Sequence, residues 1–412
     1  MLLVEPQGLD DDQCARSWAL SGAMHLTGRA SGPPSVSPAG ILRPLCGLAG
    51  ALASAAGRLG SEVKVDALEL AGQRAAFTGF GRNGSRSAGG FAQMVRARDG
   101  WVTLNLPRPS DTEALPALVG AAVAADGWGE VESRIASMAV TEVVEQGSQL
   151  GLAVAGVGAT PAPQQPWSVR SDGPGRRRRG RAPVVLDLTS LWAGPLAGGL
   201  LAEAGCRVLK VESSSRPDGA RRGPAGFFDL LNGRKEHLGL DLPEPGAVDE
   251  LRQLIAHSDL VLESSRPRVM HQWGICPDDV AAAGTAWVSI TGHGRRGPHG
   301  NRIAFGDDAA VSGGLVVSGD PPMFVGDAVA DPIAGLAAAC VATHLLAECR
   351  AALIDVALAS ASAWVRAHAG APIHRPVVRT GSGWAVELSD GPVPVRLPAL
   401  PDRLTVQRRS TS

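Results

Sequence analysis

The sequence predicts an α/β protein built on a Rossmann-like, open parallel sheet, and three observations lead there. From residue 183 onward, short apolar runs alternate with helical stretches, the pattern of a doubly wound sheet. A Pro-, Gly- and Arg-rich segment separates this half from everything before it. The 412 residues are 44% hydrophobic and 19% charged, which fits a soluble globular chain too long for a single core.

The elements of that half can be taken in order. "VVLDLT" (Val184 to Thr189) reads as a buried strand, and "PLAGGLLAEAG" as a short helix despite its Gly pair. "CRVLKVE" (Cys206 to Glu212), "LVLES" (Leu260 to Ser264) and "AWVSITG" (Ala286 to Gly292) supply further strands. The glycine fingerprint of dinucleotide sites is missing between the first two, so neither NAD nor FAD is expected.

Five segments follow from this reading. Residues 1–80 form a degenerate copy of a later segment, 81–165 a small-domain-like region, 166–182 a linker, 183–370 the α/β domain, and 371–412 a truncated tail. The run Arg176 to Arg179 is read as a solvated part of the linker, since no aromatic or helical context accompanies it. The copy rests on four blocks in one order. "SGAMHLTG" resembles "SGGLVVSG", "PPSVSPAGILRPLCGLAGA" aligns without gaps to "PPMFVGDAVADPIAGLAAA", "VDALEL" to "IDVALA", and "VRARDGW" to "VRTGSGW".

Composition also excludes several functions. A net charge of −1 gives no field toward nucleic acid or a membrane surface. The start "MLLVEPQGLDDDQ" has no basic region or long apolar run, so no signal peptide and a cytoplasmic location are expected. No apolar run of about 18 residues escapes a break by Gly, Pro or charge, so no membrane span is expected. The six cysteines and nine histidines show no metal-ligand spacing, so no metal is expected. Tyr is absent, which argues against a base-stacking surface.

Against this background "FVGDAVADPIAGLAAA" (Phe324 to Ala339) stands out. Asp327 and Asp331 interrupt an apolar run, where an ionised carboxylate is costly unless it is paired or used. In the earlier copy Arg43 stands opposite Asp331, while the following Pro and Gly-Leu-Ala are shared. A helix cap would be kept as Ser, Thr or Asn, so Asp331 is read as having a task that its counterpart lacks.

The stretch "VLDLTSLWAGPLAGGLLAEAGCRVLKVE" resembles the opening of the class III CoA-transferases, the CaiB/BaiF family. "LLNGRKEHLGLDL", "DLVLESSRPRVMHQWG" and "VSITGHGRRGP" are similar to later motifs of that family, in its order. The resemblance covers Val184 to about Leu358. It reaches "RARDGWVTLNLPRPSD" more weakly, as the start of a smaller α+β domain. It implies a CoA-transferase with Asp331, favoured over Asp327, as the nucleophile. It implies CoA contacts at Leu191, Trp192 and Ala193, at Lys210, at Asn232 and Lys235, and at Ser264, Ser265 and Arg266. Gly89 and Gly90 of "SAGGF" would belong to a lid. Acyl-CoA and a carboxylic acid would be substrates, no cofactor would be permanently bound, and a homodimer is implied. Departures are Ser264-Ser265 for Asn-Phe, Arg268 for Gly, and the lack of a His in "RIAFGDDAA", which argues against the racemase branch. The small-domain-like part also precedes the α/β part, as in a circular permutation. Two alternatives remain open: an acyl-CoA isomerase or dehydratase using Asp331 as a base, and a non-catalytic CoA-binding homologue.

Overall fold

The structure, a computed structural model, describes residues 2–123, 127–175, 180–242 and 244–400. A small antiparallel sheet comes first in the chain, made of β1 (Ala92–Ala97), β2 (Gly100–Asn105) and β3 (Ala153–Gly156). The large sheet uses β4 (Ser168–Pro174), β5 (Val184–Leu188), β6 (Arg207–Glu212), β7 (Glu236–Gly239), β8 (Leu260–Glu263) and β9 (Ala286–Thr291). After the short pair β10 (Val316–Val317) and β11 (Met323–Phe324), β12 (Arg350–Ala357) completes it. A last antiparallel sheet holds β13 (Val377–Thr380), β14 (Gly383–Leu388) and β15 (Gly391–Pro394).

Six strands of the large sheet run parallel in the order β7-β6-β5-β8-β9-β12. The first of them in sequence, β5, lies inside the sheet. The chain builds outward to one side of it, then returns to build the other. The order therefore reverses between β5 and β8, and a crevice opens beyond the carboxyl ends of those two strands. Their residues are apolar on both faces because helices cover both: Val185 packs into one core and Leu186 into another.

One boundary needs correction. Residues 166–182 are not all linker, because Ser168–Pro174 forms β4, antiparallel to β12. The strand is largely exposed and polar, so it carries no apolar signal. What recruits it is the open hydrogen-bonding edge of β12, helped by the Arg350–Asp172 ion pair. The run Arg176 to Arg179 lies outside the described residues.

The β1–β3 sheet and its helices enclose a separate apolar cluster with Val102, Leu104, Leu118, Val131, Ile135 and Val143, a compact α+β unit. The helix Ala330–Ala347 is buried on nearly every side, between the helices Ala193–Glu203 and Leu42–Arg58. Gly335 permits that closeness: a Cβ there would lie 2.7 Å from the Ala193 carbonyl oxygen. Among the described residues two helices, Ser37–Arg58 and Ala330–Ala347, are long and apolar enough by composition to cross a membrane; both are mostly buried against other elements here.

Segments near residues 11–20 and 375–396 meet. Helix Asp11–Leu20 packs on the β13–β15 sheet, with Arg375 on Asp12 and the Arg396 N–H donating to the Ala19 carbonyl. Arg43 donates to the carbonyls of Leu9 and Ala369 and pairs with Asp11, so it braces these pieces. The two similar segments differ in element order: the first runs helix, helix and hairpin, whereas the second places β12 between its long helix Ala330–Ala347 and helix Leu358–His368. Trp101 and Trp384 each lie on the second strand of their hairpin.

Candidate active site

A cleft of about 610 Å³ opens at the strand-order reversal. Its walls come from the loops after β5 and β8, from Phe91, Asn105, Pro107 and Arg108 of the small unit, from Arg74, and from the turn that carries Asp331. One cleft therefore collects Leu191, Trp192, Ala193, Ser264, Ser265, Arg266 and Asp331.

Asp331 sits in the first turn of Ala330–Ala347, partly buried. Its backbone N–H donates to the Ala328 carbonyl, and Ala328 adopts φ +46°, a conformation costly for a side-chain-bearing residue. Among the described residues no side-chain or backbone donor meets either carboxylate oxygen. Gly306 makes room for it: a Cβ at 306 would fall 2.3 Å from Asp331 Oδ2. Burial pushes the carboxyl up to about 7; Arg74 opposes the shift and Asp307, Asp308 and Asp327 add to it. At neutral pH both its protonated and ionised forms are populated.

Asp327 differs in every respect. It is fully buried, does not line the cleft, and spends both oxygens on Arg74, with Nε to Oδ2 at 2.8 Å and Nη2 to Oδ1 at 2.5 Å. Two further acids surround the turn. Asp307 accepts from the Ala328 N–H at 3.0 Å, and burial, with the Asp327 charge, pushes it up to about 6. Asp308 accepts from Asn105 Nδ2 at 2.8 Å and from the Phe305 N–H, and burial pushes it up to about 7. Asp307, Asp327 and Asp331 share the Arg74 guanidinium, and the like charges around it help to raise Asp307 and Asp331.

The loop after β5 is strained on the cleft side and clamped from beneath. Leu191 has φ +70° and is 44% exposed, leaving an apolar side chain free in the cleft. Its N–H donates to Asp218 Oδ1, and Asp218 is held in turn by Lys210 at 3.0 Å. Lys210 also donates to the Thr189 carbonyl. Alongside, Lys235 Nζ reaches Asp187, the Pro195 carbonyl and Asn232 Oδ1 within 2.9 Å. Burial works against the Asp187 charge, but Lys235 and Lys210 hold that carboxyl below its usual range.

Lys210, Asn232 and Lys235, expected as CoA contacts, are buried and do not line the cleft. They set the loop and the start of helix Ala193–Glu203 from below. Ser264 and Ser265 line the cleft; Ser264 Oγ accepts the Ser190 N–H, tying the two loops together. Gly89 and Gly90 form a turn that does not line the cleft, although Phe91 after it does and is 56% exposed.

Arg74 went unsuspected in the sequence. It lies on Glu69–Thr78, which ends at Gly79 with φ +71°. Its guanidinium is 5.0 Å from the Trp192 ring centroid. At the mouth of the cleft, Arg222 and Arg266 have no acidic partner within ion-pair distance among the described residues, and Arg266 feels Arg268, Arg108 and Arg216 nearby.

A family model described as CoA-transferase family III matches residues 183–379. Succinyl-CoA–D-citramalate CoA-transferase of Chloroflexus aurantiacus is 30% identical over 168 residues, 38% of this chain and 42% of that one. A probable fatty acyl-CoA transferase of Mycobacterium tuberculosis is 33% identical over 149 residues, 34% of this chain and 38% of that one. The succinyl-CoA:glutarate CoA-transferase of Mus musculus is 30% identical over 165 residues, 37% of this chain and 38% of that one. The chain thus spans less than half the length of these curated relatives. A crystal structure of a CaiB/BaiF family protein from Brucella suis superposes with TM-score 0.45 and 23% identity, over 50% of this chain and 65% of that one. Residues 183–379, just under half of the chain, are thus similar to CoA-transferase family III.

Proposed function

We propose that the cleft is the active site of an enzyme that moves CoA from an acyl-CoA thioester to a carboxylic acid. The observation that carries this reading is the cleft itself, in which the unpartnered carboxylate of Asp331 faces the same space as the two switch-point loops. Exposed Leu191 and the half-buried Ser264 to Arg266 line the region where the nucleotide would lie. Arg222 and Arg266 have no ion-pair partner among the described residues and are suited to phosphate.

Asp331 attacks the thioester carbonyl, forming an acyl–aspartyl anhydride and releasing the CoA thiolate. The thiolate then attacks the aspartyl carbonyl, giving an aspartyl-CoA thioester and expelling the donor's acid as a carboxylate. An acceptor carboxylate attacks that thioester, forms a second anhydride and frees the thiolate again. Attack of the thiolate on the acceptor's carbonyl yields the new acyl-CoA and restores Asp331. Every step exchanges one activated acyl group for another, so little driving force is lost. A pKa near 7 makes Asp331 more basic than an ordinary carboxylate and keeps enough of it ionised to react. No permanently bound cofactor is required by these steps. A homodimer and a cytoplasmic location remain part of the proposal.

The proximity of Asp307 to Asp331 favours a second reading, proton transfer on an acyl-CoA by two acids in one cleft. Incubation with succinyl-CoA and other acyl-CoAs, followed by intact-mass measurement, separates the two. Transfer requires a covalent adduct on Asp331, whereas proton transfer alone gives an isomerised or exchanged acyl-CoA and no adduct.

A further inference from the structure

We propose that Arg74 binds the carboxylate that exchanges at Asp331, namely the acid expelled in the first half of the reaction and the acceptor that enters in the second. This rests on the CoA-transferase reading above and gives the acceptor its binding group. A free carboxylate must come close to Asp331, into a region that already holds Asp307, Asp308 and Asp327. Like charges repel it there unless a cation faces the same space. Arg74 is the cation that acts on Asp331, and it lines the cleft.

The other cleft arginines are placed elsewhere or committed. Arg108 is tied to Asp111 and the Gly151 carbonyl, and Arg302 to the Val154 carbonyl. Arg222 and Arg266 stand on the loops that follow β6 and β8, on the nucleotide side. Arg74 gives Nε and Nη2 to Asp327, and no protein acceptor meets Nη1 among the described residues. A guanidinium has five N–H donors in a rigid fork, so this side-on pairing leaves the two on Nη1 for a ligand. Asp327 and the Trp192 ring, 5.0 Å away, hold the fork in place before any ligand arrives. On this reading the buried Asp327 is a positioning residue, acting through Arg74. The helix Glu69–Thr78 delivers the cation, which gives the segment before the small unit a part in the reaction.

The test compares wild type with Arg74→Lys and with the double variant Arg74→Gln/Asp327→Asn, which removes the cation together with the carboxylate it is paired to. Succinyl-CoA is the donor, and acetate, succinate and glutarate are offered as acceptors. The wild-type adduct at Asp331 is measured first. Its absence with every acyl-CoA overturns the CoA-transferase reading itself, independently of Arg74. With the adduct present, KM for each acceptor used by the wild type should rise tenfold or more in the double variant. That rise should exceed any loss in the rate of adduct formation, with Arg74→Lys between the two. An acceptor KM within twofold of wild type overturns the proposal. So does a loss of equal size in adduct formation and acceptor KM, which would mark general disruption, and so does an effect confined to dicarboxylates, which would put Arg74 on a remote group.

Discussion

Replacing Asp331 by Asn should stabilise the protein at alkaline pH while abolishing transfer. The carboxyl is raised from 3.8 to about 7, so the folded protein holds its proton more tightly than the unfolded chain does. Stability is therefore lost as pH rises between those two values, and it is unaffected by this group outside them. Each unit corresponds to about 1.4 kcal/mol, which makes the ionised carboxylate cost at most about 4 kcal/mol above pH 7. Asn keeps the shape and carries no charge, so the variant gains that amount relative to wild type. For a chain of 412 residues unfolding as one unit, about 0.9 kcal/mol corresponds to 1 °C in Tm, or at most about 5 °C here. Thermal melts of both proteins at pH 5 and pH 8 measure the difference, and coupled assays measure turnover. The Tm advantage should be larger at pH 8, and transfer should fall by about 10⁴ or more. A Tm difference independent of pH would refute the electrostatic argument, and retained turnover would refute the role of Asp331.

Other outcomes follow from the same geometry. The rate of adduct formation should rise through about pH 7 and level off above it, as the Asp331 carboxylate forms; a rate independent of pH from 5 to 8 would contradict the assignment. Gly306→Ala should cut transfer at least a hundredfold, since its Cβ would fall 2.3 Å from Asp331 Oδ2; wild-type kinetics in this variant would show the carboxylate works elsewhere. Lys210→Met should destabilise by about 3–5 kcal/mol in denaturant titration because it strands buried Asp218, whereas an unchanged midpoint with weaker CoA binding would restore Lys210 as a ligand contact.

Much of this architecture was legible, for identifiable reasons. The central strands β5, β8 and β9 are apolar and buried on both faces, and that run survives any uncertainty in their order. Asp331 could be picked out because an acid in an apolar run must be paired or used. The same argument, applied to cations, would have found Arg74 inside "LAGQRAAF", and applied to "FGDDAA" would have found Asp307 and Asp308. β4 was missed because an edge strand is set by the partner edge it covers, and its own residues are polar. The depth of Lys210, Asn232 and Lys235 was not legible, because a motif gives residue identity but not burial. Only the fold turns those side chains beneath the loop instead of into the cleft.

The most direct test of the central claim is peptide mapping of wild-type protein quenched during incubation with a panel of acyl-CoAs that includes succinyl-CoA. The account predicts a mass gain from covalently held acyl or CoA, carried by the peptide containing Asp331 and absent from Asp331→Asn. An adduct on Asp327 or Asp307, or turnover of acyl-CoA with no adduct anywhere in the chain, would contradict it.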